Sequence, residues 1–128
     1  MKEIIHTNVL PPSIGPYSAA VRAGDFIFLS GQISYCMEEK VLKTGDITEE
    51  TSVILSNIRK FLEDNNLSFG QVVKTTIYLT DLSLFEQMNT VYNEYFRESL
   101  PARSCVEVSR LPKNVNVEIE CIIYARPE

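Results

Sequence analysis

Histidine is almost missing from this sequence: among 128 residues there is one, His6. A Ser-His-Asp relay would have to use it, and it falls at the end of the first expected strand. Histidine-relayed acyl transfer and histidine-based metal sites are therefore set aside. Cysteine is sparse as well. Cys36, Cys105 and Cys121 are odd in number and widely spaced. With no C-x-x-C pair, neither a zinc site nor a disulfide framework is suggested, and free, mostly buried thiols in a reducing compartment are expected. Positive charge is short: 12 Lys and Arg stand against 17 Asp and Glu, a formal net charge of −5. No basic cluster relieves it, so a nucleic-acid surface is not expected. No apolar run approaches the roughly 20 residues of a membrane span. The N-terminal Met-Lys-Glu-Ile-Ile-His-Thr is too polar and mixed for a signal peptide. A cytoplasmic protein without membrane contact is the expectation. Repeats, low-complexity tracts and linkers are also missing, so residues 1–128 are expected to form one domain able to bury its own core.

What the chain does hold is ordinary in amount, 45% apolar and 23% charged residues, and informative in pattern. Glu3-Ile-Ile-His-Thr7 reads as a short edge strand. Pro11-Pro-Ser-Ile-Gly-Pro-Tyr17 is a loop stiffened by its prolines. It either reverses the chain or presents Tyr17 at a cleft. Ala19–Ala23 and Asp25–Ser30 form two strands about an Ala-Gly-Asp turn. The Ser30-Gly31 step at the end of the second strand admits a ligand or another backbone, and a β-bulge accounts for it equally well. Residues 35–45 read as a loop. Asp46 opens a helix with Glu49 at capping-box spacing, and Ile47, Ile54, Ile58, Phe61 and Leu62 share its apolar face. Asn65-Asn66 ends it. Gln71–Thr80 is a β-branched strand. Ser83 and Glu86 repeat the capping-box spacing before a second helix, whose apolar face is Phe85, Met88, Val91, Tyr92, Tyr95 and Phe96, read as core packing. Asn89 is the polar exception, either facing solvent or reaching into a site. Pro101 stops the helix. The order β-β-β-α-β-α-β-β predicts an α+β two-layer domain, a mixed sheet with two helices packed on one face. The final strand carries apolar residues on both faces. The face without helices would stay exposed unless other chains cover it.

The stretch Pro101-Ala-Arg-Ser-Cys-Val-Glu-Val-Ser-Arg110 reads as a strand, and of its two arginines Arg103 sits near its start. Asn116–Tyr124 is the next strand and carries Glu118 and Glu120. A fixed cation and a carboxylate on successive strands are the minimum equipment for binding a small acid and handling a water beside it. Arginine suits a carboxylate because its planar fork donates two parallel hydrogen bonds and keeps its charge. A glutamate can move the proton of a water, an effect worth about 10²–10⁴-fold. On their own, Arg103 also fits a surface or interfacial ion pair, and Glu118 a solvated strand residue. Cys105 has no histidine near it to make a thiolate nucleophile.

Ile14-Gly-Pro-Tyr17, Ser30-Gly-Gln32, Val73-Lys-Thr-Thr76, Pro101-Ala-Arg-Ser-Cys-Val-Glu-Val108 and Arg110-Leu-Pro-Lys…Val117-Glu-Ile-Glu120 resemble, in order, the pattern of the Rid (reactive intermediate deaminase) family, RidA type. The resemblance runs over nearly the whole chain. It implies a chorismate-mutase-like α+β fold and a homotrimer with active sites in the clefts between subunits. It also implies hydrolytic deamination of 2-imino or enamine acids, 2-iminobutanoate and 2-iminopropanoate, to 2-keto acids and ammonia, with no cofactor and no metal. By the same resemblance Arg103 binds the substrate carboxylate and Glu118 positions the attacking water. Tyr17, Ser30, Gly31, Asn89 and Cys105 line the pocket. Between Ser34 and Thr44 the chain departs from the family pattern, with Cys36-Met-Glu-Glu where a Pro- and Gly-containing turn is usual.

Other functions compete. A keto-acid or amino-acid binding or regulatory module would keep Arg103 and the cleft, but binding alone does not require Glu118. Ribonuclease, translation-inhibiting and chaperone roles, also ascribed to the family, fit less well. RNA cleavage meets a net negative charge and a lack of catalytic histidines.

Overall fold

The computed structural model describes residues 1–126. Its strands are β1 (Glu3–Ile5), β2 (Ala20–Ala23), β3 (Phe26–Gln32), β4 (Tyr35–Cys36), β5 (Val41–Leu42), β6 (Val72–Leu79), β7 (Ala102–Glu107) and β8 (Val117–Tyr124). Two helices, α1 (Ile47–Asp64) and α2 (Phe85–Phe96), complete it. The six longer-paired strands form one sheet in the order β1-β2-β3-β8-β6-β7. All its neighbours run antiparallel except β6 and β7, which are parallel and joined through α2. The fold is the expected α+β two-layer type, helices on one face of a mixed sheet.

Alternation decides which side chains make the core. On β8, Val117, Ile119, Cys121 and Ile123 are buried, and on β6 so are Val72, Thr75, Ile77 and Leu79. They meet Ile47, Ile54, Ile58, Phe61 and Leu62 of α1 and Met88, Val91, Tyr92 and Phe96 of α2 in one apolar cluster. Burying each such side chain fully is worth about 1.5–3 kcal/mol, so this cluster outweighs any surface contact. The other face carries Phe26, Phe28, Ile122 and Tyr124 beside Lys74, Thr76, Tyr78, Glu118 and Glu120. Phe28 is 45% exposed, Val106 42% and Phe26 39%, and Phe26 packs against Tyr124 at 5.5 Å between ring centroids. A face with apolar patches remains open, as the last strand's composition indicated.

Turn chemistry follows the sequence at several joints. Gly24 takes φ +61 between β2 and β3, the left-handed conformation that tight turns ask of glycine. Asp46 caps α1 by accepting the Thr48 N–H at 3.0 Å. Asn66, at φ 58, ends that helix. Two expectations need correction. Residues 35–45 are not all loop: β4 and β5 pair as a small hairpin. The Ser34 hydroxyl donates to the Lys43 carbonyl at 2.6 Å, and buried Asn57 of α1 donates to the Tyr35 carbonyl at 2.8 Å. Strands of two residues show no alternation to read. The Ser83–Glu86 box before α2 does not form either. Asp81 caps instead, accepting the Ser83 N–H at 2.8 Å and starting a 3-10 turn, Leu82–Leu84, that leads into α2.

Candidate functional site

Arg103 and Glu118 stand on strands successive in sequence, but β6 lies between them in the sheet. Thr75 pairs with Arg103 and Tyr78 with Glu118. Directly paired residues share a face, and Thr75 and Tyr78 point to opposite ones. Within one chain, therefore, the cation and the carboxylate belong to opposite faces of the sheet. The structure holds two separate half-sites.

The first half-site is built on β7 and α2. Arg103 starts the edge strand, and its guanidinium lies 4.9 Å from the Tyr92 ring centroid and 5.4 Å from that of Phe85. Its Nη1 donates to Asn89 Oδ1 at 2.6 Å. Phe85, Asn89 and Tyr92 follow one another at i, i+4 and i+7, one face of a helix. The Tyr92 hydroxyl is bonded in turn to the buried Thr75 hydroxyl at 2.8 Å. Among the described residues no carboxylate lies within ion-pair distance of Arg103. A guanidinium held by two rings and one amide, with its charge unpaired, is prepared for an anion from outside. A cavity of about 290 Å³ opens beside it, lined by Asn89, Tyr92, Leu100, Pro101 and Arg103 among others. Cys105 is two residues along on the same side. Burial pushes its thiol pKa up, partly offset by Arg103, so it is a poor nucleophile. The aromatic cradle went unread in the sequence, where Phe85 and Tyr92 look like core. The helical spacing shared with Asn89 was the signal.

The second half-site gathers Tyr17, Ser30, Gly31 and Glu118. The chain slips register between Leu29 and Gln32 as β3 pairs with β8, so the Ser30-Gly31 step is a bulge. It is also a close approach: a Cβ on Gly31 would run into the Glu118 carboxylate, with Cδ 2.7 Å away. Of the two readings of that step the bulge holds, and what approaches Gly31 is a side chain, neither a ligand nor another backbone. The Ser30 hydroxyl donates to the Ser18 carbonyl at 2.7 Å, tying the bulge to the segment after Tyr17. Gly31 and Tyr17 line an apolar cavity of about 370 Å³ together with Pro11, Pro12, Ile14 and Leu42. Burial, and secondarily the charge of Glu120, raise the Glu118 pKa above the ordinary glutamate value. Glu120 itself accepts the Tyr78 hydroxyl at 2.6 Å. Among the described residues Glu118 accepts no protein hydrogen bond, so of the two glutamates it is the one free to act on a bound water.

Among the described residues no helix is long and apolar enough to cross a membrane. Among the described residues no group of three or more His, Cys, Asp and Glu side chains is gathered to hold a metal ion.

Comparison with known proteins covers almost the whole chain. The family model described as Endoribonuclease L-PSP matches residues 7–125. A RutC family protein of Pyrococcus abyssi is 51% identical over 123 residues, 96% of this chain and 97% of that protein. The chloroplastic Reactive Intermediate Deaminase A of Arabidopsis thaliana is 38% identical over 121 residues, 94% of this chain and 65% of that protein. Among solved structures, Escherichia coli TdcF with bound serine superposes with a TM-score of 0.88 at 38% identity, covering 97% of this chain and 99% of that one.

Proposed function

Because this chain belongs to the Rid family, the group that the Endoribonuclease L-PSP model describes, we propose that it hydrolyses 2-imino acids, 2-iminobutanoate and 2-iminopropanoate among them. The C=N carbon takes up water, the C–N bond breaks, and a 2-keto acid and ammonia leave. Arg103 grips the substrate carboxylate, with Asn89 and the two rings holding the guanidinium. Glu118 takes a proton from the attacking water and returns it to the departing nitrogen. A raised pKa suits that exchange, since the carboxyl group must both accept and give a proton near neutrality. Tyr17, Ser30 and Gly31 shape the wall beside the water, and Cys105 the wall beside the substrate. The iminium carbon is already electrophilic, so neither a covalent nucleophile nor a cofactor is required.

The observation that carries this reading is the unpaired, pre-oriented Arg103. Its separation from Glu118 supports a second element of the proposal: the active site is completed between copies, in a homotrimer whose subunits meet through the apolar sheet face. The enzyme would work in the cytoplasm.

The test is an in situ assay. Threonine dehydratase generates 2-iminobutanoate in the presence of semicarbazide, which traps the imine. The wild-type protein lowers adduct formation, and Arg103→Ala does not while keeping its circular dichroism spectrum. An unchanged adduct with folded wild-type protein would leave the cleft as a keto-acid or amino-acid binding site. The name of the family model favours a second reading, RNA cleavage. A net charge of −5 and an Arg103 buttressed by aromatic rings argue against it. RNA binding at physiological ionic strength would reinstate it.

A further inference from the structure

Glu50 lies on α1 with no accessible surface, and neither ion pair among the described residues includes it. Both of its oxygens are spent on a single residue. One accepts the Asn116 backbone N–H at 2.8 Å, the other the Asn116 side-chain amide at 2.6 Å. Asn116 passes the constraint across the sheet. Its carbonyl accepts the Thr80 N–H at 3.1 Å, and its Oδ1 accepts the Thr80 hydroxyl at 3.3 Å. The residue immediately before β8 is thus clamped by backbone and side chain together. The turn that precedes it contains Lys113 and Asn114 at φ 60 and 59 and offers no comparable anchor. Glu118 comes two residues later; its backbone is held by the pairing with Tyr78, but among the described residues its side chain has no hydrogen bond of its own to fix it. Its placement against Gly31 depends on where β8 begins.

We propose that Glu50 is a positioning residue for Glu118, acting through Asn116. A buried carboxylate is costly to keep in a helix face whose other buried residues are apolar or neutral, and packing alone would be served by an aliphatic side chain. Two acceptor oxygens on one side chain match the two N–H donors that Asn116 presents. The inference rests on the reading of Glu118 as the residue that handles the water.

The test uses Glu50→Gln, which sets an amide N–H against the Asn116 amide N–H, and the double variant Glu50→Gln with Asn116→Asp, which restores a donor facing an acceptor. Three quantities are measured on each purified protein: steady-state imine hydrolysis, the carboxyl-carbon NMR titration of Glu118, and Tm. The expected result is a kcat lowered roughly 10- to 100-fold in Glu50→Gln, KM within about two-fold of wild type, and a Glu118 titration displaced from the wild-type value. The double variant recovers both. A lowered Tm with unchanged kcat and unchanged Glu118 titration would reduce Glu50 to a structural role and overturn the proposal, as would an effect confined to KM. If Glu50→Gln does not fold, Thr80→Val removes only the hydroxyl that steadies the Asn116 amide and is judged by the same two readouts. Absence of turnover in the wild-type protein would sink the proposed hydrolysis, while the Glu118 titration still decides the role of Glu50.

Discussion

A single methyl group probes the Glu118 half-site. Gly31→Ala places a Cβ into the Glu118 carboxylate. The obstruction is the far end of a flexible side chain, so the glutamate gives way. We expect Tm to change little and kcat to fall at least about 100-fold, the scale of a lost general base. Glu118 itself gives a pH signature. Its raised pKa means that the folded state holds the proton more tightly than the unfolded one. Its ionisation therefore weakens the fold as pH rises from the ordinary glutamate value through the raised one. Glu118→Gln should melt like wild type near about pH 4 and above it at pH 7, while turnover is lost; equal Tm at both pH values would contradict the burial argument. At this scale much was legible in the sequence. Arg103 stood out as a lone cation, and Asn89 as a polar break in an apolar helix face. Phe85 and Tyr92 did not, because an aromatic ring at helical spacing looks the same whether it packs on a core or under a guanidinium.

Elements were readable where one period runs long enough. The 18 residues of α1 and the eight each of β6 and β8 fall within a residue of their expected limits. The hairpin of β4 and β5 was missed because its stability comes from elsewhere: Asn57 of α1 and the Ser34–Lys43 closure hold it, not its own pattern. The entry to α2 was misread for a related reason. Two residues at capping-box spacing satisfy a pattern, but the oxygen that reaches the Ser83 N–H belongs to Asp81, and the Leu82 N–H goes to Glu107. Asp81→Ala should lower the urea unfolding midpoint measurably, and Ser83→Ala much less. A reversed order would restore Ser83 as the cap.

At the scale of the molecule, the sequence showed an apolar second face but not that the two candidate residues would be parted by it. Strand order is set by long-range pairing, and nothing local announces that β6 slips between β7 and β8. If the site is shared between copies, two inactive proteins can repair each other. Arg103→Ala and Glu118→Gln, unfolded together and refolded as a mixture, should regain about a quarter of wild-type activity, the statistical share of interfaces with both residues intact. Each refolded alone stays inactive, and an inactive mixture would place both groups in one chain. The sheet order also bears on how the protein is made. β8 leaves the ribosome after both β3 and β6, yet it belongs between them. Until it arrives, β3 and β6 each offer a bare hydrogen-bonding edge, and the residues that should cover Ile27 and Ile77 are still being synthesised. The nascent chain thus passes through a sticky, half-zipped state that ends when β8 joins the sheet. A stop codon ahead of Val117 would yield an aggregating fragment rather than a smaller folded protein.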